Sequence, residues 1–143
     1  IDIISKFNTN IESCTTHFIQ RSMIEAIEGN TEGPDEILSE LRKRRDAAVK
    51  GLNDISGISI TAPTSTFYLF PNVSAIMERK GSADVNQLMK EALIETSVSF
   101  CTRKHFGRFR GNETGDYLRF AYSGIGVDEI NEGMAKLKLY FEN

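Results

Sequence analysis

Hydrophobic and polar residues follow two different periods along this chain. Between Thr15 and Gly29, Ile19, Met23, Ala26 and Ile27 fall on one side of a 3.6-residue period, the signature of an amphipathic helix. Gly29-Asn30 supplies its stop. Pro34 then stands where a first helical residue belongs, with Asp35 and Glu36 placing negative charge at a helix N-terminus. Ile37, Leu41, Ala48 and Leu52 carry the apolar stripe to an end near Asn53, and Glu40 with Arg44 and Asp46 with Lys50 are supporting i,i+4 pairs. Beyond Asn53 the period shortens. Ile58 and Ile60, then Phe67-Tyr68-Leu69-Phe70, predict two short strands around the turn Ala62-Pro63-Thr64. Ser82 is placed to cap a helix that buries Val85, Leu88, Met89, Ala92 and Leu93. A strand at Val98–Cys101, a polar basic loop and a strand from Tyr117 to Tyr122 come next. The last helix packs Val127, Ile130, Met134, Leu137 and Phe141, with Asp128 and Glu129 early and Lys136 and Lys138 late, in accord with its dipole. The expected fold is α+β, a small antiparallel or mixed sheet of about four strands with helices packed on one face.

Composition narrows the class without naming a reaction. With 143 residues, 40% hydrophobic and 26% charged, the chain is long enough for one domain with a core. Eleven Gly and three Pro exclude a collagenous or low-complexity chain. No apolar run approaches the ~18 residues of a membrane span, and no signal-peptide pattern opens the sequence. Cys14 and Cys101 are too far apart for a zinc knuckle and too few for a disulfide framework. These features predict a reduced, cytoplasmic, soluble domain. The opening Ile1-Asp2-Ile3-Ile4 reads as the middle of a longer polypeptide.

The sharpest local anomaly is Arg119. In Tyr117-Leu118-Arg119-Phe120-Ala121-Tyr122, strand alternation sets Leu118, Phe120 and Tyr122 on one face and Tyr117, Arg119 and Ala121 on the other. Either the second face meets water and Arg119 is solvated, or it lines a cleft. In a cleft, an always-charged guanidinium on a strand would grip a carboxylate or phosphate through two parallel hydrogen bonds. A second feature is Arg103-Lys104-His105-Phe106-Gly107-Arg108-Phe109-Arg110, where basic residues interleave with aromatics as on a single-strand nucleic-acid platform. The chain is net acidic at -3, and no RNP-type motif surrounds this stretch, so an ordinary solvated loop is the simpler account.

The remaining candidates carry less. Arg42-Lys43-Arg44-Arg45 covers most of a helical turn and reads as a wet face. His17 and His105 lack companions at metal-ligand spacing, so no metal site is expected. Cys14 and Cys101 fit small core positions better than nucleophiles. Asn72-Val73-Ser74 and Asn112-Glu113-Thr114 match the glycosylation acceptor pattern, which means little without a secretory signal.

Taken in order, these features give Arg119 a context. Gln20 in its helix, Arg44-Arg45-Asp46, the segment Pro63-Thr64-Ser65-Thr66-Phe67-Tyr68-Leu69-Phe70, the segment Val98 to Gly107 and the strand Tyr117-Leu118-Arg119-Phe120-Ala121-Tyr122-Ser123 follow one another along nearly the whole chain. The series resembles the C-terminal part of the class I/II pyridoxal-phosphate-dependent aminotransferases, the enzymes built like aspartate aminotransferase. The resemblance implies that residues 1–30 are the tail of the large cofactor domain, including one helix, and 31–143 the substrate-clamping small domain. It implies that Arg119 binds the α-carboxylate of the substrate, with Tyr68 and Phe67 near the same pocket. It implies an α-amino acid and a 2-oxo acid as substrates and a homodimer as the assembly, with the segment Asn10–Thr16 near the neighbouring subunit, and no nucleic acid or membrane as partner.

Two departures are local: Ser65 replaces the family glycine before Phe67-Tyr68, and Thr102-Arg103 replaces a Pro-Gly pair. A third is larger. The family's Schiff-base lysine lies farther ahead of the Gln20 helix than Lys6 does. The resemblance therefore implies pyridoxal phosphate in the full-length enzyme, none in this fragment, no catalytic residue within it, and no activity of the fragment alone. The alternative is a stand-alone polyanion- or nucleic-acid-binding module using loop 103–110.

Overall fold

A computed structural model describes residues 1–12, 14–108, 111–112 and 114–143. Ser13 of the Asn10–Thr16 segment, Phe109 and Arg110 of the basic loop, and Glu113 of the second glycosylation-type tripeptide lie outside the described residues. The chain divides into two units, Ile1–Glu36 and Ile37–Asn143.

The first unit contains helices α1 (Asp2–Ile11) and α2 (His17–Glu28) and the first turn of α3 (Glu32–Asn53). Among the described residues, α1 and α2 bury none of their side chains. Helix α2 stops at Gly29 as expected; its N–H returns to the Glu25 carbonyl, and a Cβ at that position would lie 2.4 Å from the same oxygen. Helix α3 begins at Glu32, two residues ahead of Pro34. The first turn of a helix needs no amide donors, so the proline is accommodated there and does not mark the start.

The second unit is α+β. After α3 come β1 (Tyr68–Leu69), α4 (Ser74–Lys80), α5 (Val85–Thr96), β2 (Cys101–Thr102), a 3₁₀ turn (Arg103–Phe106), β3 (Leu118–Ala121) and α6 (Val127–Glu142). The sheet has three strands in the order β1-β3-β2, and both pairings are antiparallel. Tyr68 faces Ala121 and Leu69 faces Phe120; Cys101 faces Arg119 and Thr102 faces Leu118. An Asn72–Tyr117 bridge extends the first ladder.

The expected alternation of β3 holds. Leu118, Phe120 and Tyr122 are buried with Leu69 in one core that also takes Leu52 of α3, Ile76 of α4, Leu88 and Ala92 of α5, and Leu137 and Phe141 of α6. Arg119 and Tyr117 occupy the opposite face and are half-buried.

The expected strand at Ile58 and Ile60 is absent. Asn53 replaces it: its Oδ1 accepts from the Ile60 N–H at 2.8 Å and its Nδ2 donates to the Ile60 carbonyl at 2.9 Å. A side-chain amide thus satisfies both backbone groups that a neighbouring strand would have paired. The strand expected at Val98–Cys101 is shorter and later, because the Val98 N–H is taken by the Thr96 hydroxyl at 3.2 Å. Ser82 does not cap α5. Asp84 does, accepting from the Asn86 N–H at 3.1 Å, while the Ser82 hydroxyl is buried without a partner. Asp46 pairs with its neighbour Arg45, Nε to Oδ1 at 2.9 Å, in place of Lys50.

Arg44 and Arg45 are not a wet face. Arg44 Nε holds Glu40 at 3.0 Å, as expected, and its Nη1 donates to the Ser123 carbonyl at 2.7 Å; Arg45 Nη1 reaches the Pro63 carbonyl at 3.3 Å. One helical turn of α3 thereby fastens the chain just after β3 and just before β1.

Candidate anion site on the outer face of the sheet

The site is built on the central strand. Arg119 is clasped between β1 and β2, so its Cα is fixed by ladders on both sides. Such a mount positions a long side chain better than a loop does. Residues 68 and 70 and residues 117 and 119 project from the same face by alternation, and Phe70 stacks on Tyr117 with centroids 5.2 Å apart and planes 6° from parallel.

The guanidinium meets an aromatic ring from each flank. Its carbon lies 4.3 Å from the centre of the Tyr68 ring, carried by β1, and 4.9 Å from that of Phe106, carried by the turn after β2. Both distances are within cation–π range. Nη2 approaches the Cys101 sulfur at 3.5 Å, a weak acceptor. Nε is buried and makes no hydrogen bond, and Nη1 makes none among the described residues. No carboxylate among the described residues pairs with this cation.

Part of the basic loop's charge is held by neighbouring groups at the surface. Lys104 Nζ bonds the Asp84 carboxylate at 2.5 Å, and that bond, with the Asn86 N–H, holds the Asp84 carboxyl below its ordinary value. Arg103 Nη1 donates to the Gly107 carbonyl at 3.2 Å. His105 Nδ1 accepts from the Thr102 N–H at 3.2 Å, closing the turn on its own first residue. Thr102, fully buried, donates from its hydroxyl to Asn86 Oδ1 at 2.9 Å and so ties the turn to α5. Phe106 also meets Phe70 edge-on at 6.3 Å.

The other candidates fall elsewhere. Cys14 is exposed rather than in the core, and Cys101 is half-buried beside Arg119. Among the described residues no group of histidine, cysteine and carboxylate side chains could hold a metal ion. The seven lysines of the second unit stand on α3, α4, α5, α6 and the 3₁₀ turn, none on the sheet, and Lys6 is exposed on α1. A cavity of about 420 Å³ lies on the α6 side, lined by Ala48, Val98, Phe120, Tyr122, Ile130 and Met134 among others, and does not include Arg119.

Sequence reasoning placed Arg119 on the correct face but missed Phe106 and Cys101 as its neighbours. Their signal is the register: once β2 is aligned on β3, Cys101 faces Arg119 directly and the turn beginning at Arg103 follows.

Comparison with known proteins gives these residues relatives. No protein-family profile matches the chain. It is 30% identical over 144 residues to a probable aspartate/prephenate aminotransferase of Aquifex aeolicus, covering 98% of this chain and 34% of that protein. It is 32% identical over 107 residues to an asparagine–oxo-acid transaminase of Streptococcus mutans, covering 75% of this chain and 27% of that one. The fold is shared with an alanine aminotransferase of Pyrococcus furiosus, with a TM-score of 0.78 at 24% identity, over 93% of this chain and 32% of that structure. The chain spans about a third of the length of the curated relatives it matches.

Proposed function

Because the chain fits the C-terminal part of an aspartate aminotransferase-like enzyme, we propose that it is the substrate-clamping part of a transaminase, with Arg119 binding the α-carboxylate. The observation that carries this reading is the state of that arginine: a permanent cation, half-buried on the middle strand, with no carboxylate partner among the described residues. A cation kept out of bulk water without a counter-ion is an anion site in waiting.

The α-carboxylate is unchanged when an α-amino acid becomes its 2-oxo acid and is common to every such pair, so a single guanidinium serves both halves of an amino-group exchange. Bidentate binding fixes the acid as a rigid unit, which orients the Cα–H bond toward whatever removes the proton. Pyridoxal phosphate supplies the electron sink for that chemistry in transaminases. Lys6 lies nearer the Gln20 helix than the family's Schiff-base lysine does. We therefore assign the Schiff-base lysine and the phosphate cup to polypeptide outside residues 1–143, and expect these residues alone to be inactive.

Residues 1–30 are read as the tail of the large cofactor domain and 31–143 as the clamping domain. The exposed apolar residues Ile4, Phe7 and Ile11 of α1 and Met23 and Ile27 of α2 support the first part, since such faces are normally covered. A homodimer acting in the cytoplasm completes the reading; no described helix is long and apolar enough to cross a membrane. The test is substrate kinetics in the full-length enzyme. Arg119→Ala should raise KM for the amino acid by about 10²–10³-fold, the scale of removing one partner from a desolvated charge pair. An unchanged KM overturns the reading.

A further inference from the structure

We propose that Phe106 and Tyr68 are positioning residues for Arg119, holding the guanidinium by its flat sides so that its N–H edge stays open to a carboxylate. This rests on the reading of Arg119 as the carboxylate site. An arginine side chain carries about 2 kcal/mol of rotamer entropy, which must be lost before two N–H groups can point at one acid. An acidic neighbour could impose that order, but it would neutralise the charge and occupy the donors that the substrate needs. Ring faces do neither. They attract the cation through their quadrupoles and leave every N–H free.

The geometry fits that division of labour. The ring centres lie 4.3 Å and 4.9 Å from the guanidinium carbon, and they come from the two opposite flanks of β3. Among the described residues, the single polar contact of the guanidinium is with the Cys101 sulfur at 3.5 Å, which a carboxylate oxygen easily displaces. The mount of Phe106 is braced although the residue is 45% exposed. The Thr102–His105 bond closes its turn, the Lys104–Asp84 pair pins the turn to the α5 cap, and Phe70 meets the ring edge-on. Because little core depends on Phe106, its replacement tests positioning rather than folding.

The experiment compares four variants of the full-length enzyme: Phe106→Leu, Phe106→Trp, Tyr68→Phe and Arg119→Ala. Losing one partly exposed cation–π contact should raise KM for the amino acid and for its 2-oxo acid about 3–10-fold in Phe106→Leu, with kcat much less affected. Phe106→Trp and Tyr68→Phe keep a ring face and should stay within about twofold of the parent enzyme. If Arg119→Ala weakens binding and Phe106→Leu does not, the positioning inference falls and the carboxylate assignment stands. If Arg119→Ala itself leaves binding unchanged, the carboxylate assignment is what has failed. Nuclear magnetic resonance of the Arg119 Nε–H in the parent enzyme gives a second readout that needs no variant. Ring currents from the two faces should move it away from the other arginine signals, and a resonance among them would overturn the proposal.

Discussion

Cys101 stands directly opposite Arg119 across the β2–β3 ladder, and its sulfur lies 3.5 Å from Nη2. A sulfur is only a weak acceptor, and no carboxylate stands at this position, which leaves the guanidinium donors for an outside anion. Replacing Cys101 by an acid should therefore fill the site from within. Cys101→Asp is expected to raise KM for the amino acid at least about 100-fold, because the new carboxylate competes for the same donors at fixed proximity. Cys101→Ala should change KM less than about threefold, since it removes only a weak acceptor. Steady-state kinetics on the two variants checks this, and equal effects would contradict it.

Ser65 replaces the family glycine, yet the left-handed backbone falls one residue later, on Thr66 at φ 65°. A β-branched residue there is strained by roughly 1–2 kcal/mol. The Tyr122 hydroxyl, donating to the Thr66 carbonyl at 2.8 Å, helps to hold the turn. Thr66→Gly should relieve the strain and raise Tm by about 2–4 °C, with Thr66→Ala giving a smaller gain. A lower Tm for the glycine variant would show that the turn is not strained as its dihedral implies.

Tyr140 of α6 donates to Glu91 of α5 at 3.1 Å, with Lys80 Nζ 4.2 Å from the centre of its ring. Burial, then the hydrogen bond to Glu91, push its phenol from 10.0 up to about 12. In the unfolded chain the phenol ionises near its ordinary value, whereas in the folded chain it stays protonated. This contribution is therefore complete below pH 10 and is lost as pH rises toward about 12. Urea unfolding midpoints should fall across that interval, and Tyr140→Phe should flatten part of the slope. A variant with the slope of the parent protein would show that Tyr140 is not its source.

Much of the fold was legible because its helices α2, α3, α5 and α6 are long enough to show a period. Helix α4 is only seven residues long, too short for a repeating stripe. Ile58 and Ile60 read as a strand because both are apolar at alternate positions; nothing in their spacing announces that Asn53 serves as their partner. Arg44-Arg45 read as solvated because helical position says nothing of the carbonyls of Ser123 and Pro63 brought near by the sheet. The candidate site divides the same way. Alternation along β3 placed Arg119 on the face away from the core. Tyr68 and Phe106 are far apart in sequence, and only the strand order β1-β3-β2 brings both to one guanidinium.

The most direct measurement is a crystal structure of the full-length enzyme with a bound 2-oxo acid. Both oxygens of the ligand's α-carboxylate are expected at about 2.7–2.9 Å from two guanidinium nitrogens of Arg119, with the Tyr68 and Phe106 ring centres still within cation–π range of it. An α-carboxylate held by other residues, with Arg119 left facing solvent, would contradict the assignment.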